Sequence, residues 1–403
     1  MKRRPLLAIG LVVAIVVVFA GVGRVLSNGA PGPTSSQIAG ATSPRPDATA
    51  TPGSTPTDTP TPTATALPTP TPAPSPILVP APMTGRLVAP DAAVRHPIAV
   101  MIDDLDPARP QSGLSSASVV WQAPAEGGIP RYMAIFQENI PAQVGPVRSS
   151  RYYYIAWAAE WRAAYAHAGG SPQAMSTLRA QGAGQLVYNA DEFFHGGSYF
   201  RLNTNGRFAP HNLFTTGAKL RSLAKRMGAK DQPYKAVWLF APDAPLDQRP
   251  YGGTITVGYP DNLIKYTYDR TTNTYLRSVT GEKKQTDAAN GVRIAPQNVI
   301  VMRMTFGPLN DGHPNKKRLE ANVVGSGTAW IATNGRTIKG TWKKVSLKAP
   351  TLFYDAAGNQ VTLTVGQTFV QVLTQSPTIY PFSYKDGSDQ PPASTSPAPS
   401  PSK

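Results

Sequence analysis

The chain has 403 residues, of which 42 are proline and none is cysteine, and its formal net charge is +16. The lack of thiols excludes disulfides, thiolate metal sites and a lipid-modified N-terminal cysteine. Residues 84–385 hold 33 Lys and Arg against 19 Asp and Glu, a net charge of +14, so the basicity belongs to the part that can fold. That balance attracts anionic polymers: teichoic-acid-like phosphates, acidic glycans, lipid headgroups or extracellular nucleic acid. No motif for specific nucleic-acid recognition accompanies it.

In chain order, residues 6–23, LLAIGLVVAIVVVFAGVG, form an apolar run long enough to cross a bilayer as a helix. Lys2, Arg3 and Arg4 precede it and Arg24 follows, which keeps the N-terminus in the cytoplasm and sends the rest outside. Residues 1–26 are therefore expected to be a cytoplasmic tip and an uncleaved, single-pass signal anchor in the cell membrane. A cleaved signal peptide is the alternative, but its apolar core is usually about 7–15 residues and ends in a small-x-small site. The sequence VLSNGA after Arg24 is a poor site of that kind. Residues 27–83 are dominated by Pro, Thr, Ser and Ala, densest in TPTPTATALPTPTPAPSP, and predict a disordered, extended stalk. Residues 386–403 predict a second disordered tail.

The globular part predicts an α+β fold. Residues 84–230 read as a mixed α/β domain. PIAVMID (97–103), SVVWQA (118–123), RYMAIFQ (131–137) and AAYAHAG (163–169) are strand-like, and SSRYYYIAWAAEW (149–161) is helical. Ser171 is placed to cap a following helix, with Pro172 at its first position. TTGAKLRSLAKRMG (215–228) predicts a basic amphipathic helix ending at Gly228. Residues 231–385 read as a β-rich domain, an antiparallel barrel or sandwich, with the boundary near 229–236. Its strand-like runs are punctuated by turn signals, of which Asn334-Gly335 is the strongest hairpin indicator.

Candidate chemistry gathers in the first of these domains. GPVRSSR (145–151) predicts a turn into a helix start, where backbone N–H groups and the dipole favour an anion. Arg148 and Arg151 could grip that anion, with Ser149 adding a hydroxyl and Arg131 a further charge. AHAGGSP (166–172) repeats the pattern: Gly169 and Gly170 allow close backbone approach, and Ser171 starts the helix. The two turns are expected to meet at one anion site, with Arg148 as its main electrostatic contact. Glu126, His167 and His211 are candidate acid–base groups, and Asn212 beside His211 is a candidate ligand contact. Asp103, Asp104 and Asp106 follow the first strand, where turn capping explains them better than a divalent cation. No metal site and no cofactor are expected.

At these segments the chain resembles the YerB-like bacterial lipoproteins, the family called domain of unknown function 3048. The resemblance rests on PIAVMIDDLDPARPQSGLSSASVVWQAPAEGGIPRYMAIFQ, VGPVRSSRYYYIAWA, HAGGSP and APHN in the first half. In the second half it rests on YTYDRTTNTYLR, NVIVMRMTF, GSGTAWIATNGRTIKGTWKK and FYDAAGNQVTLTVGQTFVQVL. It covers nearly all of Arg86–Leu373 and implies an envelope-facing protein of two domains, with no activity attached. Three departures matter: the lipid-attachment cysteine is missing, and Ser118 and Gln122 stand where the family's acidic residues are expected. If those acids are catalytic in relatives, this chain is a binding-only member. Three readings follow. One is a tethered module binding an anionic cell-wall polymer or glycan. The second is a hydrolase or transferase using Glu126 with His167 or His211. The third is an envelope scaffold. The sequence leaves the oligomeric state open.

Overall fold

A computed structural model describes residues 76–180 and 185–391. The expected anchor, most of the expected stalk and the last twelve residues lie outside the described residues. Among the described residues no helix is long and apolar enough to cross a membrane.

Five strands of the first half enter the large sheet: β1 (Ile98–Asp103), β2 (Val119–Pro124), β3 (Pro130–Phe136), β4 (Ala164–His167) and β5 (Tyr188–Asp191). Its helices are α1 (Tyr152–Ala159), α2 (Pro172–Ala180), the single turn α3 (Glu192–His195) and α4 (Gly217–Arg226). The second half supplies β6 (Thr254–Tyr259), β7 (Asn262–Asp269), β8 (Thr274–Ser278), β9 (Asn298–Arg303) and β10 (Gly325–Thr333). It continues with β11 (Arg336–Lys344), β12 (Leu352–Tyr354), β13 (Thr368–Leu373) and β14 (Phe382–Lys385).

One ten-stranded sheet runs through both halves in the order β12-β11-β10-β9-β13-β2-β3-β1-β4-β5. The halves meet where β13 pairs in parallel with β2, from Thr368 opposite Val119 to Gln371 opposite Gln122. All described residues lie in one compact unit, Pro72–Lys403, which contains the boundary expected near 229–236. The second half is mostly antiparallel, as its turn signals suggest, but β9 and β13 run parallel. Of the twelve residues of NVIVMR and TFVQVL only Arg303 is not buried, the burial pattern of central strands covered on both faces. A separate four-stranded antiparallel sheet, β8-β7-β6-β14, packs on the second half of the large one, with Val299, Val301 and Leu373 in the shared core.

Local signals explain several elements. Helix α1 is apolar all round and correspondingly buried, with Trp157 stacked on Trp121 at 4.6 Å between centroids and 10° between planes. At the β10–β11 hairpin, Asn334 and Gly335 have φ of 48° and 73°, as a type I′ turn requires. A Cβ on Gly335 would sit 2.5 Å from the Tyr268 ring, so the turn needs glycine for space as well as for φ.

Candidate functional site

Strand β1 delivers two aspartates to opposite faces of the sheet. Met101 and Ile102 belong to different cores, and Asp103 and Asp104 continue that alternation. Asp103 Oδ2 receives Nδ1–H of His211 at 2.7 Å and lies 2.9 Å from Nε of Arg148, while its Oδ1 caps Leu105 N–H at 3.2 Å. Burial raises the Asp103 pKa, but the His211 hydrogen bond and the charges of Arg148 and Arg131 outweigh it and hold the carboxyl below its ordinary range. Arg148 is itself lowered by burial, against the pull of Asp103. Among the described residues no protein group hydrogen-bonds Nε2 of His211. Asp103 therefore fixes the orientation of the imidazole and leaves its other nitrogen without a protein partner among the described residues.

Arg131 lies opposite Asp103 in the β1–β3 register and links this pair to Glu126. Glu126 Oε2 accepts from Arg131 at 2.9 Å, Oε1 accepts from Arg151, and Arg318 Nε approaches Oε1 at 3.9 Å. Arg131 and Arg151 also donate to the carbonyls of Ser149 and Ser150. Arg318 is held from the other side by Asp311 at 2.5 Å. Four arginines thus surround Asp103, Glu126 and Asp311, leaving a positive excess at one end of the sheet.

GPVRSSR and AHAGGSP do meet. Ser150 bridges Gly170, Ala168 N–H donates to Arg148 O at 3.0 Å, Ser150 N–H to Gly169 O at 2.9 Å, and Ser171 N–H to Ser150 O at 3.2 Å. Ser171 caps α2, its Oγ accepting from Ala174 N–H at 3.3 Å. Beyond this junction lies an open depression of about 690 Å³ lined by Gly170, Pro172, Met175, Ser176, Arg179 and Arg318. Among the described residues no acid pairs with Arg179.

Not every candidate joins this surface. His167 is wholly buried, with Nδ1 2.8 Å from Gly169 O and Nε2 2.7 Å from the Asn189 side chain. Burial lowers its pKa, against the charge of Asp191, and its contacts brace the Gly169 turn. Asn212 is occupied at both ends, donating to Asn203 at 2.6 Å and accepting from Arg201 at 2.9 Å. The three aspartates diverge: Asp103 as above, Asp104 into the interior, and Asp106 to Arg109 at 2.9 Å. Among the described residues no cluster of His, Asp or Glu could hold a metal ion.

The family comparisons account for both halves. The N-terminal domain of a protein of unknown function, DUF3048, matches residues 83–230, and the C-terminal domain of the same family matches residues 255–370. A protein of Bacillus subtilis (strain 168) named "Putative lipoprotein YerB" is 32% identical over 270 residues, 66% of this chain and 78% of that protein. The chain belongs to the DUF3048 family. The crystal structure of the Bacillus subtilis YerB protein superposes with a TM-score of 0.65 at 26% identity, covering 75% of this chain and 99% of that one.

Against the DUF3048 limits, several residues that the sequence does not flag reach across from the C-terminal family domain, while Arg179 belongs to the N-terminal one. Arg318 joins the Glu126 cluster. On the opposite face of the sheet Asp104 is fully buried and accepts from Gln122 at 2.6 Å and from Asn262 at 2.9 Å, with Arg109 at 3.3 Å. Gln122 in turn accepts from Arg277 at 2.7 Å. Burial pushes the Asp104 pKa up, against the charges of Arg109 and Arg277. One signal could have found Arg277: in β8 it shares the inward face with Tyr275, the position of a core residue. Ser118 donates to Glu138 at 2.5 Å. Both Ser118 and Gln122 are therefore buried hydrogen-bonding residues of the interior in this DUF3048 member.

Proposed function

We propose that the protein is a membrane-anchored, extracytoplasmic binding protein that holds phosphate or carboxylate groups of an anionic envelope polymer. The observation that carries this reading is the junction of Ser150 with Gly170 beside the open depression, which Arg179 and Arg318 line and where Arg318 shares the Glu126 carboxylate with Arg151. Glu126 and Asp103 orient the inner arginines, which lowers the entropy cost of presenting them. Arg179 and Arg318 border the opening and make the contacts to the polymer.

Titration of the full-length chain in detergent with poly(glycerol phosphate) tests this. Arg318→Ala is expected to weaken binding by about tenfold, the loss of one charge-assisted contact, and Arg179→Ala by a smaller factor of about three. Lys225→Ala, on the exposed side of α4, should change affinity less than twofold at physiological salt. Equal losses from all three substitutions would reduce the interaction to diffuse attraction and remove the defined site.

The anchor follows from the same reading. The Bacillus relative is named a lipoprotein, and this chain has no cysteine to carry a lipid, so the apolar run 6–23 takes over the attachment. N-terminal sequencing of the membrane fraction is expected to return Met1 or Lys2. A mature terminus beyond residue 24 overturns the anchor and leaves a secreted protein.

A further inference from the structure

Three phenylalanines project from the surface, and two of them, Phe193 and Phe208, lie against residues of the candidate site. Phe193 is 74% exposed, Phe194 66% and Phe208 59%. Scattered apolar side chains are normal on a protein surface, so what matters is where each ring is seated. Phe193 is seated against Gly169, where a Cβ would come within 3.1 Å of its Cε2, so the bare backbone there makes room for the ring. Phe208 stands edge-on to the His211 ring, with centroids 5.6 Å apart and planes at 84°. The two seats are joined by His211 to Asp103, Asp103 to Arg148, and the Arg148 carbonyl to Ala168 N–H next to Gly169. One ion pair and a short series of hydrogen bonds therefore connect the two ring seats.

We propose that Phe193 and Phe208 are stacking platforms for the sugar rings of an anionic glycopolymer. The proposal rests on the anion-binding reading above and names the class of polymer. A pyranose has one face of C–H groups and a rim of hydroxyls. An aromatic ring takes the C–H face out of water and meets its weakly positive hydrogens with a negative π face. The hydroxyl rim then faces groups such as His211, and the acidic substituents reach the arginines. A polymer of phosphates alone would use the arginines and leave the rings in water. An anionic bilayer would favour an apolar patch bordered by cations, whereas Glu192 stands directly beside Phe193.

The test uses the full chain and three probes: poly(glycerol phosphate) bearing N-acetylglucosamine, the same polymer without sugar, and phosphatidylglycerol vesicles. The glycosylated polymer is expected to bind about fivefold tighter than the bare one, the scale of one aromatic contact. Phe193→Ala/Phe208→Ala, both at exposed positions, should abolish that preference while affinity for the bare polymer stays within about twofold. The proposal fails if the wild-type chain binds both polymers equally, if the double variant loses both in parallel, or if it loses only vesicle binding. Arg318→Ala separates the two readings: an unchanged affinity for both polymers, with the sugar preference intact, counts against the anion site and supports the platforms.

Discussion

Replacing Arg277 by methionine is expected to destabilise the fold by about 3–5 kcal/mol, the cost of breaking a buried charged network by removing one partner. Its side chain is wholly buried, donating to Tyr266 at 3.0 Å, Tyr132 at 3.1 Å, Gln122 at 2.7 Å and to Gln285. The rings of Tyr132, Tyr266 and Phe369 surround the guanidinium at 5.4–5.5 Å from its carbon to their centroids. Methionine fills part of the volume but leaves the side-chain oxygens of Gln122 and Gln285 without their donor and Asp104 with only Arg109 for charge compensation. Thermal unfolding should fall by on the order of 10 °C, given roughly 2–4 °C per kcal/mol in a domain of this size. Arg277→Lys keeps the charge without the fork and should lie between. A melting temperature within 2 °C of the parent, by an approximate ~1 kcal/mol criterion, would show that the network is energetically idle.

The second large effect concerns Lys344 and Glu160, which join the two family domains at the other side of the sheet. Their side chains are 0% and 1% exposed, with Nζ 2.8 Å from Oε1. Lys344 also donates to Ala349 O at 2.5 Å, and Thr351 Oγ1 donates to the same Glu160 oxygen at 2.7 Å. Lys344→Met or Glu160→Leu alone leaves one charge buried without its partner, at a cost of about 3–5 kcal/mol each. The double variant removes both charges and should recover at least half of that loss. Chemical denaturation of the four proteins measures the coupling. Additive losses would contradict a direct pairing.

What the sequence reveals depends on how far each feature reaches. The β10–β11 hairpin is legible because Asn334-Gly335 is a local solution to a local twist problem. The capped start of α2 is legible for the same reason, since Ser171 and Pro172 act within one turn. The approach of GPVRSSR to AHAGGSP is also readable, because each leads into a helix start, one beside the end of β1 and the other from the end of the neighbouring β4. The partners of those turns are not. Nothing near Glu126 announces three arginines, and Arg318 arrives from almost two hundred residues away. His167 sits at a strand end like a ligand-facing group, yet its ring is spent on Gly169 and Asn189, a choice made by which face of β4 is covered. The parallel pairing of β13 with β2 has no local signature, because register between distant strands is set by burial on both faces rather than by a turn.

That pairing governs the order in which the molecule can be completed. Thr368 sits beside Val119, about 250 residues earlier in the chain, and β13 is flanked on its other side by β9. A polypeptide emerging N-terminus first therefore holds one edge of β2, a mostly apolar strand, unpaired until residue 373 has appeared. Such an edge is a template for wrong partners, and closing so long a loop is slow. Export as an unfolded thread, with an escort at the point of emergence, suits this topology better than folding piece by piece.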